Sequence, residues 1–315
     1  ARSRFLLVLA LLAGFFQLEA QQTSEGFSIV DQSKGKIRIK HNISQVEISK
    51  SNTTEGDILS AKGVFSPNVA GAPDLPSHST FIAIPKGAEV SLKIVKAETH
   101  TINNIDLIPA AVPQLDNDNS PVVHQKDMNI YGKNAFYPQQ PFRLSAPTTV
   151  RGVEVIALEA MPFQYNPVTK ELIAYDEVEL EIEITGEGDL CDTRYRTKEW
   201  DHILSDIILN FNDLPKVDYG ARLRKHYESK ESGCEYMILT PDNPDFIQLA
   251  DSIRRFRIAQ GIPTEIFTVS DCGGNDENAI YSFIRNAYSN WDMPPAAVEL
   301  LGDHNNDPTL GIVSH

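Results

Sequence analysis

Hydrophobic and polar residues alternate with a period of two over much of residues 27–186. In the clearest stretch, Val178, Leu180, Ile182 and Ile184 alternate with Glu177, Glu179, Glu181 and Glu183. This period places one set of side chains on a buried face and the other set in water, as in an antiparallel sheet. Gly, Pro and Asn residues separate the runs. The pattern predicts a β-rich domain, built as an antiparallel sandwich or barrel.

A second long strand is predicted over residues 153–158, upstream of the alternating strand. Residues 162–170 lie between the two and contain Asn166-Pro167, a pair that favours turns. The pattern therefore predicts that the two strands form a long hairpin. Shorter strands are predicted over residues 36–41, 80–84 and 90–95.

The pattern changes between Cys191 and Ser232, where charged residues are dense. One stretch has apolar residues at helical spacing and predicts a helix: Trp200, Ile203, Leu204, Ile207 and Ile208. Residues 221–226 follow without an apolar period. They are predicted to form an exposed linker between two domains.

A third pattern begins after this linker. Residues 236–240, 264–269 and 297–301 are short apolar runs that predict strands. Helices are predicted between them, starting at Asn243-Pro244 and at Asp276. In the first helix the apolar residues recur at helical spacing: Phe246, Leu249, Ile253 and Phe256. This alternation predicts an α/β domain with a parallel sheet, which is expected to be truncated at His315.

The first residues predict a signal peptide over residues 1–20. Arg2 and Arg4 precede an apolar run that is too short to span a bilayer, and cleavage is expected after Ala20. The remaining chain divides into a β-rich domain over residues 21–190, a helix and linker over 191–232, and the α/β domain over 233–315. The predicted location is therefore outside the cytoplasm, in a secreted or surface-attached form.

Composition narrows the possible functions. The formal net charge is -15 and the pI is near 4.9, which argues against a nucleic-acid partner. Three cysteines, Cys191, Cys234 and Cys272, are too few for a disulfide scaffold, and their spacing does not predict a zinc site. One pair can bridge at most, so at least one thiol is expected to stay free.

Several of these segments resemble the gingipains, a family of cysteine peptidases. Residues 162–170, with the sequence Pro-Phe-Gln-Tyr-Asn-Pro-Val-Thr-Lys, closely resemble the end of the gingipain pro-region. Residues 136–152 are similar to the same pro-region, and residues 71–76 match it more loosely. Residues 300–304, Leu-Leu-Gly-Asp-His, resemble a turn in the gingipain catalytic domain.

The resemblance implies a zymogen of a secreted cysteine endopeptidase, with a β-rich pro-domain before a caspase-like α/β domain. The family's catalytic cysteine and histidine follow the Gly-Asp-His turn, so they are expected beyond His315 and this chain alone is expected to be inactive. Cys272 and His304 are therefore not interpreted as a catalytic pair, although a cysteine peptidase does need a thiolate and a base. Expected partners are protein or peptide substrates, the secretion machinery and the pro-domain's own catalytic domain.

Two further sites follow from the resemblance. Gingipains use the aspartate of this turn as a calcium ligand, so Asp303 is a candidate for a structural calcium site together with Asn305, Asn306 and Asp307. An aspartate that caps the next turn is an equally simple interpretation. Arg222, Arg224 and Lys225 lie in the predicted linker, where a zymogen has to be cut. A solvated run of charges explains them as well.

Two other functions remain open at this stage. The gingipain family includes a sortase-like transpeptidase that attaches secreted proteins to the cell surface. A non-catalytic exported binding protein with the same domains is the third possibility. A histidine and a cysteine at family spacing downstream of His315 would favour an enzyme over a binding protein.

Overall fold

The computed structural model describes residues 23–24, 26–52, 54–62, 69–117, 120–229, 232–303 and 310–313. In chain order its strands are β1 (Thr23–Ser24), β2 (Phe27–Ser33), β3 (Lys36–Asn42), β4 (Val46–Lys50), β5 (Asp57–Ala61), β6 (His78–Ala83), β7 (Glu89–Asn103), β8 (Phe142–Leu144), β9 (Thr148–Val150), β10 (Val153–Ala160), β11 (Phe163–Asn166), β12 (Glu171–Thr185), β13 (Tyr236–Thr240), β14 (Thr264–Thr268) and β15 (Ala297–Leu300). The α-helices are α1 (Met128–Tyr131), α2 (Lys198–Ile207), α3 (Tyr219–Ser229), α4 (Pro244–Ala259) and α5 (Glu277–Asn290), and short 3₁₀ turns span Thr193–Tyr195 and Phe211–Asp213.

Strand β12 is central to the largest sheet, and it confirms the predicted alternation. Val178, Leu180 and Ile182 are fully buried, whereas the glutamates point to the outer face. Among them, Glu181 is held by Lys93 at 2.6 Å and Arg38 at 3.0 Å. Strand β12 pairs with β3 and β11 along one edge and with β7 along the other, all antiparallel.

The predicted hairpin between the 153–158 strand and β12 is wrong. Strand β10 pairs instead with β6, β8 and β9 in a separate antiparallel sheet. The partner of β12 across the Asn166-Pro167 turn is the short strand β11. Strand β10 buries side chains on both of its faces, including Val155 and Ile156, and a strand buried on both sides belongs inside a layered structure.

The two antiparallel sheets face each other across one apolar core. Its buried members come from both layers and include Ile39 and Leu180 of the larger sheet with Ile82 and Leu158 of the other. The prediction of an antiparallel β-rich domain is therefore confirmed, in the form of a sandwich. We refer to residues 23–218 as the β-rich region.

Helix α2 belongs to the β-rich region. The predicted helix is confirmed, and its first turn is capped by Thr197, whose hydroxyl accepts a hydrogen bond from the Trp200 N–H at 3.2 Å. Leu204 and Ile208 are buried against Val153 and Val155 of β10. The segment after β12 therefore completes the core of the β-rich region.

Residues 232–303 and 310–313 form a second, smaller unit, here called the α/β region. Strands β14, β13 and β15 lie side by side in that order and are all parallel, as predicted. Asn243 and Asp276 cap the two helices at the predicted positions. On α4, Ala250 is buried, but Leu249 and Phe256 are 50% and 62% exposed, so helical spacing alone did not identify the buried side. Within the described ranges, no helix is long and apolar enough to cross a membrane.

Candidate functional site at the junction of the two regions

The segment that connects the two regions is a helix. Residues 221–226 were predicted to be an exposed linker, and that prediction is wrong, because they lie inside α3. Asp218 accepts a hydrogen bond from the Ala221 N–H at 2.9 Å and so starts the helix as a cap would. Of the side chains on α3, only that of His226 is buried. A helix with so little apolar surface shows no hydrophobic period, which is why the pattern missed it.

Arg222 fastens α3 to the β-rich region. Its guanidinium donates to three backbone carbonyls, those of Thr193 at 3.2 Å, Arg194 at 2.8 Å and Arg196 at 2.7 Å. Hydrogen bonds from a charged donor contribute about 1.5–3 kcal/mol each. Arg222 is thus a structural anchor, whereas Arg224 and Lys225 of the same helix are exposed.

A buried ion pair lies beneath this anchor. Arg196 has a side chain that is only 3% exposed, and it forms a two-pronged pair with Asp201 at 2.8 and 2.7 Å. Its remaining nitrogen donates to the Pro215 carbonyl at 2.6 Å. The Tyr219 hydroxyl donates to the same Asp201 carboxylate, and burial, together with this contact, raises the pKa of Tyr219. The pair thereby links α2, the chain around Pro215 and the start of α3.

Arg151 carries the contact between the two regions. Strands β9 and β10 are joined by the two-residue turn Arg151-Gly152, in which both residues have positive φ angles of 48° and 78°. This is the backbone of a type I′ hairpin turn, which favours glycine at its second position. The Arg151 guanidinium lies over the rings of Trp200 at 5.4 Å and Tyr288 at 5.9 Å. One nitrogen also lies 3.5 Å from the Pro295 carbonyl of the α/β region.

Further contacts surround Arg151. The rings of Tyr195 and Tyr288 lie 4.9 Å apart, so an aromatic residue from each region adds to the interface. Burial lowers the pKa of Arg151, yet an arginine remains charged at any physiological pH. A guanidinium stacked between aromatic rings is a favourable cation–π arrangement. The turn therefore places a positive charge against one aromatic ring of each region.

Glu235 lies at the same junction, immediately before β13. Burial, with a smaller contribution from Glu199, raises its pKa to about 7, although Arg222 and Arg151 act in the opposite direction. Its backbone N–H donates to the Pro263 carbonyl at 2.9 Å. The carboxyl is thus a titratable group between the regions whose charge changes near neutral pH.

The three thiols lack the features of a nucleophile. Burial raises the pKa of Cys234 to about 12 and, with help from Asp271 and Asp242, that of Cys272 to about 11. Burial also raises the pKa of Cys191. A reactive cysteine needs a lowered pKa. The raised pKa of Cys272 is the opposite of what a nucleophilic thiol needs. His304 lies outside the described residues.

Asp303 lies at the carboxyl end of β15, and its N–H donates to the Leu310 carbonyl at 2.8 Å. Calcium takes six to eight oxygen ligands. Within the described ranges, no group of three or more His, Cys, Asp and Glu residues is arranged to hold a metal ion. Asn305, Asn306 and Asp307 lie outside those ranges. The described donors alone do not form a calcium site, and Asp303 as a calcium ligand stays a prediction, as does cleavage after Ala20, which is also outside the described residues.

Comparison with known proteins identifies the family of this chain. Residues 25–218 match the sequence profile of the C25 propeptide (Propeptide_C25), and residues 229–314 match that of peptidase family C25. The chain belongs to the C25 propeptide family. The boundary between the two matches falls within α3. The C25 propeptide thus corresponds to the β-rich region, and the peptidase match to the α/β region.

The relatives of this C25 precursor are gingipains of Porphyromonas gingivalis, which confirms the resemblance predicted from the sequence. Gingipain R2 is 25% identical over 301 residues, covering 88% of this chain and 39% of that protein. Gingipain R1 is 26% identical over 277 residues, covering 83% of this chain and 25% of that protein. The chain therefore spans about two fifths of the length of gingipain R2 and a smaller share of gingipain R1.

A solved structure supports the fold. A complex of the pro- and mature domains of RgpB from Porphyromonas gingivalis has a TM-score of 0.53 and 18% identity to this C25 precursor. The match covers 60% of this chain and 100% of that one. At this identity the likeness shows the architecture alone.

The pattern of the sequence missed the residues that build the junction. Arg151, Arg196, Asp201 and Glu235 were not singled out as site residues. An arginine before a glycine between two strand-like runs is a recognisable signal for a two-residue turn. Arg196 and Asp201 are only five residues apart, but they stand in a stretch dense in charge, where nothing marks this pair as buried. Glu235 depends on groups far away in the sequence, so it carries no local signal either.

Proposed function

We propose that this chain comprises the latency-conferring propeptide of an exported cysteine endopeptidase and part of its peptidase domain. The observation that carries the proposal is the contact of Arg151, in the C25 propeptide, with Tyr288 and Pro295 of the peptidase match. Proteins and peptides are the proposed substrates of the precursor, and the secretion machinery is its proposed partner during export. The match of residues 229–314 to peptidase family C25 supports this proposal.

The position of the contact suggests how latency arises. Tyr288, Pro295 and Glu235 lie at the amino ends of the parallel strands. Functional groups of open α/β sheets gather at the opposite, carboxyl ends. Arg151 therefore acts as an anchor that keeps the propeptide on the peptidase, and other parts of the propeptide cover the catalytic cleft.

Binding of the separated propeptide tests this proposal. No described strand of the α/β region joins a sheet of the β-rich region. Residues 21–218 can therefore be expressed alone and titrated against the mature peptidase of the same precursor. We expect binding together with loss of peptidase activity. Arg151→Ala should raise the dissociation constant by about tenfold or more, since a desolvated arginine is a typical hot spot.

Arg143→Ala is the matched control for this measurement. Arg143 lies on β8 of the same region, but its side chain is 67% exposed and paired with Glu159 on the outer surface. The control should bind like the unchanged propeptide. A propeptide that neither binds nor inhibits the peptidase contradicts the proposal, and equal losses for the two variants contradict the role of Arg151.

Processing at the junction yields a separate prediction. We propose that cleavage falls after Arg224 or Lys225 and not after Arg222, because the Arg222 side chain would have to leave three carbonyls to enter a protease. A protease needs a locally unfolded segment, and the anchor adds to the cost of opening that part of α3. Limited digestion with trypsin, followed by mass spectrometry, should show the first cut after Arg224 or Lys225, at least about tenfold faster than after Arg222.

The variant Arg222→Gln provides the complementary measurement. Without its anchor α3 opens more readily, so cleavage after Arg224 and Lys225 should accelerate. A first cut after Arg222 in the unchanged chain, or an unchanged rate in Arg222→Gln, would show that the anchor does not direct processing.

A further inference from the structure

Two histidines meet in the core of the β-rich region. His41 on β3 and His78 on β6 approach each other with their Nε2 atoms 2.6 Å apart. They belong to different sheets, so this hydrogen bond joins the two layers of the sandwich. His41 is fully buried and His78 is partly buried. We call these two residues the imidazole pair.

The surroundings of the imidazole pair are aromatic and apolar. Phe27 lies 4.9 Å from the His41 ring and 4.7 Å from the His78 ring, and Phe142 lies 5.3 Å from His41. Gly26 makes room for His78, since a Cβ on this glycine would lie 2.6 Å from its ring carbon. The His41 ring thus lies between Phe27 and Phe142 in an apolar part of the core.

Charged groups of the same strands point away from the pair. Lys40 of β3 pairs with Glu177 of β12 at 2.6 Å on the outer face of one sheet, and Arg143 of β8 pairs with Glu159 of β10 on the outer face of the other. On the inner face Tyr175 contacts Phe142 and donates its own hydroxyl to Gln164 at 2.7 Å. The carboxylates of Glu177 and Glu159 lie on the outer faces, away from His41.

This arrangement requires a neutral His41, whose Nε2 shares one hydrogen with His78. In the neutral pair one Nε2 carries a hydrogen and donates it to the other, which accepts with its lone pair. A doubly protonated His41 also carries a hydrogen on Nδ1, and that atom is buried with no hydrogen-bond partner. An imidazolium there would be both a desolvated charge and a donor without an acceptor, which is costly in an apolar core.

We propose that the imidazole pair is an acid-sensitive fastening between the two sheets, so that mild acidity loosens the β-rich region. Protonation in a locally opened state is favourable because water then solvates the imidazolium, whereas the closed state excludes it. Acid therefore shifts the equilibrium toward opening. The link to peptidase latency rests on the proposed function, but the fastening itself does not.

The direction and the pH range follow from linkage. Burial, with a smaller contribution from His78, lowers the pKa of His41 to about 3. An unfolded histidine titrates near 6.5. A group whose pKa is lower in the folded state stabilises the fold above its unfolded value, and this stability is lost as the pH falls. Between pH 7.5 and 5.0 the opening equilibrium should therefore rise by about thirtyfold through His41 alone.

Hydrogen exchange of the whole chain, followed by mass spectrometry, measures this opening. After correction for the intrinsic pH dependence of exchange, peptides from β3 and β6 should lose about thirtyfold in protection from pH 7.5 to 5.0. His41→Gln cannot take up the proton, so its pH dependence should fall to about threefold or less. His100→Gln is the control, because His100 lies on β7 of the same sheet but is exposed and bonded to Asp176 at 2.7 Å. This variant should behave like the unchanged chain.

A measurement on the unchanged chain covers the case in which His41→Gln does not fold. Slow exchange of the imidazole C2 hydrogen reports the titration of each histidine separately. His41 should exchange slowly and show no inflection between pH 5 and 8. An inflection near 6.5, or an unaltered pH dependence in a folded His41→Gln variant, would overturn the fastening. A propeptide that fails to inhibit the peptidase, while β3 and β6 keep the expected pH dependence of hydrogen exchange, would instead count against the proposed function.

Discussion

Replacing Asp201 with asparagine is expected to lower the free energy of unfolding by about 3 kcal/mol or more. Asp201 is the counter-charge of Arg196, whose side chain is only 3% exposed and is bonded through both prongs of its guanidinium. Asparagine keeps the shape of aspartate but removes the charge, which leaves a buried guanidinium uncompensated. Breaking one half of a buried pair costs more than the pair itself contributes, because the stranded charge stays desolvated.

Asp192→Asn is the matched comparison for this result. Asp192 also pairs with an arginine, Arg194 at 2.8 Å, but these side chains are 42% and 44% exposed. Exposed pairs contribute at most about 1 kcal/mol, and asparagine still caps the 3₁₀ turn. Urea denaturation of the whole chain, followed by circular dichroism, measures both variants. Equal and small losses for the two would show that burial of the Arg196 pair has no energetic consequence.

Strands and helices could be predicted from the sequence where one of their faces is buried and the other is exposed, or where a capping residue marks the first turn. The alternation around Leu180 identified β12, and the Asn243 and Asp276 caps located both helices of the α/β region. In each case the signal is local, since burial on one side and capping by the preceding residue depend on neighbours in the chain. The change from a period of two to a helical period also separated the β-rich region from the α/β region.

Pairing between strands could not be predicted in the same way. Strand β10 is buried on both faces, so its sequence shows no alternation that would assign it to one sheet or the other. The hairpin was assigned to β10 because the real partner, β11, lies inside the stretch interpreted as a turn. Helix α3 was missed for the opposite reason, since polar contacts of Arg222 hold it and it has no apolar stripe.

The candidate site was only partly accessible from sequence. The basic residues of the predicted linker lie in α3, but their roles differ. Arg222 is an anchor and Arg224 is exposed, although the two have the same chemistry. His41 and His78 were not noticed at all, because they are 37 residues apart and meet only when two sheets pack together. Such sites arise from tertiary contacts, and a single sequence carries no trace of them.

Glu235→Gln is expected to stabilise the junction at alkaline pH. Burial raises the pKa of Glu235 to about 7, whereas a glutamate in the unfolded chain titrates near 4.3. A group whose pKa is higher in the folded state contributes stability that is fully present below the unfolded value and is lost as the pH rises through the folded one. At pH 8 the ionised, partly buried carboxylate therefore costs the unchanged chain about 2–3 kcal/mol. Glutamine has the same shape and no charge, so the variant avoids this cost.

Stability measured by urea denaturation at pH 4.5 and at pH 8 tests this expectation. Glu235→Gln should match the unchanged chain at pH 4.5 and exceed it at pH 8, while Glu228→Gln, on the exposed surface of α3, should differ at neither pH. A destabilised Glu235→Gln variant at pH 8 would show that Arg222 and Arg151 favour the carboxylate more than burial disfavours it. The effect runs opposite to that of His41, because alkali weakens the junction while acid loosens the β-rich region. The Glu235 stability is lost as the pH rises above about 4.3 and the His41 stability as the pH falls below about 6.5, so the two responses oppose each other over the range between these values.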